Sequence, residues 1–204
     1  MSPTTPKTAI VLVDVYNEFL HPSGKIYPAI AESIQTTDSV THIQTLISTA
    51  RAAHLPIYYA LHQTYKPGNY DGWQHMNATT NSIKAGKVIE DGSWGAELYE
   101  GMEPDVLGNG DVVVNYQLHQ REITHLVLGG MVANTCLEST ARYARELGYH
   151  VTLLTDATAG FSNAHKDAAT DLIWPLIADE VKTVGEWAAS LPANKDGAGG
   201  EERL

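Results

Sequence analysis

Short apolar runs alternate along the chain with segments of helical periodicity. Thr8 to Val13 (TAIVLV) is continuous and stops at Asp14, the pattern of a strand buried on both faces. From about Thr37 to His54, Val40, Ile43, Ile47 and Ala50 recur at helical spacing. Pro56 to Leu61 reads as a second strand, and Asp111 to Val114 as a third, introduced by the turn Gly108-Asn109-Gly110. Leu126 to Leu128 is a fourth, followed by a helix over Cys136 to Leu147 that Gly148 closes. His150 to Thr155 is a fifth strand, stopping at Asp156; His165 to Ile177 is a helix, and Val181 to Val184 a last strand. Strands and helices in alternation predict βαβ units, a parallel sheet and a three-layer αβα sandwich.

Three stretches break the pattern. Gln63 to Glu103 carries Trp73, Trp94 and several glycines with little periodicity, and is expected to lie irregularly over one end of the sheet. The sequence after Ser190 is polar and glycine-rich, which predicts a flexible end. Between the third and fourth strands only Tyr116 to Ile123 is available, whereas a parallel crossover needs about a dozen residues or more. Either these strands are not parallel neighbours, or the connection is cramped, or residues are absent between Asn115 and Gln117.

Composition narrows the function classes. A chain of 204 residues, 43% hydrophobic and 18% charged, is long enough for one domain with a full core. A formal charge of -11 argues against nucleic acid and against an anionic membrane surface as partners. One cysteine excludes an intramolecular disulfide framework, and no apolar stretch is long enough to span a bilayer. Residues 1–7 show no apolar signal core, so the expected location is the cytoplasm.

The single cysteine carries the chemistry. Cys136 falls at a strand-to-helix turn, where backbone N–H groups and the helix dipole are expected to lower a thiol pKa. Buried packing is the competing reading, since free cysteine is often simply core. Ligands of an open parallel sheet bind beyond the carboxyl ends of its strands. Asp14 and Cys136 both lie there, so a carboxylate faces the thiol across one crevice.

Four segments carry a resemblance: AIVLVDVYNEF (Ala9 to Phe19), DGSWGAEL (Asp91 to Leu98), LVLGGMVANTCLESTARYARELGYHV (Leu126 to Val151) and LLTDATAGF (Leu153 to Phe161). With them the chain resembles the isochorismatase-like cysteine hydrolases. The resemblance implies a six-stranded, mostly parallel Rossmann-like sheet and a hydrolase domain over residues 8–187, and the polar composition beyond it leaves 188–204 as an expected flexible tail. It implies Cys136 as nucleophile and Asp14 as general base. A cis peptide at Met131-Val132 and an oxyanion hole from the Val132 and Cys136 N–H groups are implied with them. Asn17, His62 and Trp94 are candidate substrate contacts.

The third member of the family's triad, a lysine just after the third strand, has no counterpart. Val112-Val113-Val114-Asn115-Tyr116 passes straight into Gln117-Leu118-His119, and about 14 residues of crossover are wanting. Metal-using relatives group an aspartate and two histidines after the second strand. Here that stretch reads Ala60-Leu61-His62-Gln63, with the next histidine at His75, so neither metal nor cofactor is expected. His21, His42, His54 and His165 read as surface residues. The expected substrate is a small amide or related C–N compound, and the resemblance implies a homo-oligomer. Hydrolysis of the vinyl ether of isochorismate, or a catalytically impaired binding protein, are the alternatives.

Overall fold

A computed structural model describes residues 7–113 and 118–192. Six strands form one sheet: β1 (Thr8–Val13), β2 (Ile57–Ala60), β3 (Val112–Val113), β4 (His125–Gly130), β5 (His150–Leu154) and β6 (Glu180–Lys182). Their spatial order is β3-β2-β1-β4-β5-β6, and every pairing is parallel. The sheet is therefore wholly parallel, where the resemblance had implied mostly parallel. β1 lies at the centre, with Val13 opposite Ala60 on one side and Gly130 on the other.

Burial on both faces follows from the alternation within these runs. Ile10 and Leu12 of β1 face one helical layer, made of α2 (Tyr27–Thr37), α3 (Ser39–Ala52) and α8 (Val184–Ala189), and pack with Ile43, Leu46 and Trp187. Ala9, Val11 and Val13 face the other layer and pack with Leu137, Ala141 and Trp174. That layer contains α5 (Glu138–Glu146), α6 (Asn163–Asp167) and α7 (Trp174–Ile177). The remaining helices are α1 (Asn17–Leu20) and α4 (Ala78–Gly86).

Several element boundaries differ from the sequence reading, each for a local reason. The expected strand Val181 to Val184 begins and ends earlier, because Thr183 and Glu186 form a reciprocal capping box that starts α8 at Val184. The expected helix His165 to Ile177 begins at Asn163, capped by Ser162. It then widens to i→i+5 bonding over Ala168–Ile173, just ahead of Pro175, whose ring cannot join the ordinary ladder. α2 and α4 were not anticipated. Residues 188–192 are not all tail: α8 runs to Ala189 and Leu191 packs on the core, while residues 193–204 lie outside the described residues.

β3 and β4 prove not to be neighbours, since β2 and β1 lie between them. The stretch Asn115 to Gln117, where a third catalytic position was sought, falls outside the described residues.

The segment Gln63 to Glu103 is fastened over the carboxyl end of the sheet by a buried acid. Glu18 is 3% exposed. Its Oε1 accepts from Ile89 N at 3.1 Å, and its Oε2 accepts from Lys25 N at 3.2 Å. The Lys25 ammonium stands 3.6 Å from Oε1 and donates to the Lys87 carbonyl at 2.8 Å. Glu18→Ala leaves the Ile89 N–H unpaired in the interior and strands a partly exposed cation. The expected loss is about 2–4 kcal/mol, read by urea unfolding, with Glu18→Gln retaining about half of it. Unchanged unfolding midpoints would refute this role.

Candidate active site

Strand order reverses between β1 and β4, the switch point at which open parallel sheets bind ligands. Asp14 follows β1 and is 2% exposed. Its φ is 51°, in the left-handed region that a non-glycine residue rarely adopts. That turn aims the carboxyl inward, where Oδ1 accepts from His62 N at 2.6 Å. Tyr16, two residues on, closes the same corner: its hydroxyl donates to the His62 carbonyl at 2.8 Å.

Cys136 lies on a widened helical turn, Ala133–Leu137, that runs directly into α5. Gly129 and Gly130 bring β4 to it. Gly130 has φ +117°, and a Cβ there would fall 2.1 Å from the Val13 carbonyl oxygen. Beyond it the Met131–Val132 peptide is cis. Met131 N donates to Val13 O at 2.8 Å and Ala133 N to Ala159 O at 2.8 Å, locking the turn between β1 and the segment after β5. Thr158 adds a buried hydroxyl bond to Gly130 O at 2.7 Å.

The Asp14 carboxyl and the Cys136 thiol face each other across this corner, close enough for each to shift the other's titration. Burial raises the Asp14 carboxyl above its ordinary 3.8, and its bonds to Cys136 and His62 only partly offset that. Burial also pushes the Cys136 thiol up to about 12, reinforced by the negative charge and acceptor of Asp14. The sequence had suggested a lowered thiol pKa; the structure reverses it. Burial and a facing carboxylate outweigh the helix-end contribution, and no lysine is among the groups that shift either partner. At rest the thiol therefore stays protonated.

The other expected contacts sort differently. Asn17 is buried, and its amide donates to the Trp94 carbonyl at 3.0 Å, so its visible work is to hold the overlying segment. Trp94 is 45% exposed and meets His21 edge-on at 4.7 Å. His62 meets Asp14 through its backbone, while its ring bonds the Gln63 carbonyl at 2.9 Å. Asp156, at the end of β5, accepts from Val184 N at 2.8 Å and serves as a cap to α8. Among the described residues no cluster of three or more His, Cys, Asp or Glu could hold a metal, and no helix is long and apolar enough to cross a membrane. Sequence reasoning missed Tyr16 and Glu18, although both stand in the AIVLVDVYNEF segment.

Residues 8–183 match the family described as the isochorismatase domain. The chain belongs to the isochorismatase family. Within it, the chain is 30% identical over 181 residues to the ureidoacrylate amidohydrolase RutB of Caulobacter vibrioides, covering 76% of this chain and 79% of that protein. Two solved structures share the family fold. A cysteine hydrolase from Pseudomonas syringae pv. phaseolicola superposes with a TM-score of 0.72 at 23% identity, over 93% of this chain and 94% of the other. The N-carbamoylsarcosine amidase of Thermoplasma acidophilum superposes with a TM-score of 0.64 at 24% identity, over 87% and 96%.

Proposed function

We propose that this isochorismatase-family protein is a hydrolase of a small-molecule amide or related C–N bond, working through Cys136 and an acyl-enzyme. The observation that carries the reading is the Asp14–Cys136 pair, a thiol facing a buried carboxyl at the switch point of the sheet. Similarity to the ureidoacrylate amidohydrolase supports the class of bond.

The chemistry follows from the protonation state. As Sγ bonds to the substrate carbonyl carbon, the thiol proton passes to Asp14, so no free thiolate is required beforehand. The family resemblance assigns the oxyanion to the Val132 and Cys136 N–H groups, while those of Ala133, Thr135 and Leu137 bond the Ala159 and Val132 carbonyls. Asp14 then returns the proton to the departing nitrogen as the C–N bond breaks. Water, deprotonated by Asp14, attacks the thioester; the acid leaves and the thiol is restored. Asn17 and Trp94 frame the entrance from the overlying segment, with His62 at its floor. The enzyme acts as a soluble cytoplasmic homo-oligomer and needs no metal or cofactor in this scheme.

The test is a panel of small amides, ureides and N-carbamoyl compounds followed by release of amine or ammonia. Cys136→Ala is expected to abolish turnover, and an accumulating acyl-enzyme should appear by mass spectrometry. Because Asp14 must be ionised, the acidic limb of the pH profile is expected above the ordinary carboxylate value of 3.8. Turnover retained by Cys136→Ala would overturn the proposal.

A further inference from the structure

The Asp14 carboxyl stands where the ladder between β1 and β2 gives out and a side chain takes it over. Ile10 N donates to Pro56 O at 3.0 Å and Asp14 N to Ala60 O at 3.1 Å, in regular parallel register. Were the ladder to continue, the His62 N–H would meet the Asp14 carbonyl next. At the left-handed turn of Asp14 that N–H bonds the side-chain Oδ1 instead, at 2.6 Å. His62 lies two residues beyond the end of β2, outside the regular strand. Its carbonyl is held by Tyr16, whose hydroxyl donates to it at 2.8 Å. One residue thus meets Asp14 with its N–H and Tyr16 with its C=O.

Tyr16 is a firm anchor for this bond. Its main chain is bridged to Leu98, and its carbonyl accepts from Phe19 N and Leu20 N at 3.1 and 3.0 Å. The ring packs in the core at 4% exposure. Burial, and then the Asp14 charge, hold the phenol above its ordinary 10.0, so the hydroxyl keeps its proton and stays a donor. The titratable groups around Asp14 are therefore the Cys136 thiol from the turn after β4, His62 from the end of β2, and the Tyr16 phenol. Cys136 and His62 favour the charged carboxylate against the burial that opposes it. A peptide N–H gives that support only while it stays aligned with the oxygen.

We infer that Tyr16 is a positioning residue for the proposed base: by clamping His62 through its carbonyl, it keeps the His62 N–H on Asp14 Oδ1 and the carboxylate ready to take the Cys136 proton. The inference rests on the amide-hydrolase reading for what Asp14 does. Tyr16 acts through His62 rather than on the substrate.

The test is Tyr16→Phe, which removes one oxygen and keeps the packed ring, compared with Asp14→Asn and with the double variant. The acid limb of hydrolysis should move up by about half to one pH unit, a loss of about three- to tenfold on that limb, with KM within about twofold. In the Asp14→Asn background the same substitution should change turnover by less than about twofold, because the group it acts through is gone. Carbon NMR of aspartate-labelled protein, with Asp14 assigned from Asp14→Asn, should show the carboxyl titrating higher in Tyr16→Phe by the same amount. Melting curves verify folding. A lowered melting temperature with limb and titration unmoved overturns the inference and leaves Tyr16 a packing residue. Equal losses in both backgrounds overturn it as well. Amide exchange needs no variant: the His62 N–H should be strongly protected in the unmodified protein, and rapid exchange there at neutral pH overturns the clamp. A titration that moves in a protein without Cys136-dependent turnover sustains the clamp and sinks the hydrolase reading. Cys136-dependent turnover whose acid limb ignores Tyr16→Phe does the reverse.

Discussion

Replacing Asp14 with asparagine is expected to lower amide turnover about 10²–10⁴-fold while making Cys136 easier to alkylate. The two effects run in opposite directions because the carboxylate has two roles towards the thiol. In the proposed mechanism it is the base that takes the proton as the S–C bond forms. It is also a negative charge and an acceptor that hold the proton on sulfur, helping burial keep the thiol at about 12. Asparagine keeps an oxygen for the His62 N–H, so the corner itself should survive. Iodoacetamide labelling of the unmodified protein is expected to be slow at neutral pH and to quicken steadily into the alkaline range. In Asp14→Asn the same rise should begin at lower pH. A purely architectural Asp14 would leave turnover nearly intact, and that result would contradict the assignment.

Gly130→Ala should cost at least about 3 kcal/mol and lower the melting temperature by about 10 °C. The added carbon would fall 2.1 Å from Val13 O and 2.6 Å from Val13 N, and the residue would have to keep a φ of +117°. Those neighbours are backbone in the central strand, so relief requires prising β1 from β4 just where Asp14 and the turn before Cys136 diverge. Gly129→Ala is the matched comparison. Its nearest neighbour would be the Ala157 methyl at 3.1 Å, which can yield by a few tenths of an ångström. Calorimetry of the pair should separate them clearly. Equal melting temperatures would show that the tight crossing at Gly130 is not a constraint.

The central strands were legible because β1, β4 and β5 are short runs buried on both faces, and Asp14 and Cys136 were legible because they follow two of them. Electrostatic state was not. The position of Cys136 on the helix favours an acidic thiol, but its burial against Asp14 depends on β1 lying beside β4, a contact across more than half the chain. Glu18 was overlooked for a similar reason. An acid in an N-terminal helical turn normally reads as solvent-facing, and only the return of Ile89 and Lys25 makes it a buried acceptor. The bond from the Asn17 amide to the Trp94 carbonyl joins positions far apart in the chain, which no local pattern announces. α4 follows Asn77, whose side chain accepts from Thr80 N, a capping signal hidden in a segment otherwise without periodicity.

The place of β1 beside β4 also decides when reactivity can exist. β1, β2 and β3 form one half of the sheet and β4, β5 and β6 the other, joined edge to edge along the β1–β4 line. Asp14, the proposed base, follows the first half and Cys136 follows β4 of the second, so neither half alone holds the pair. A chain still being synthesised, or clipped before β4, carries a carboxylate with nothing to deprotonate. On the proposed mechanism, catalysis arises in step with closure of that seam, and turnover becomes a gauge of whether the two halves have met.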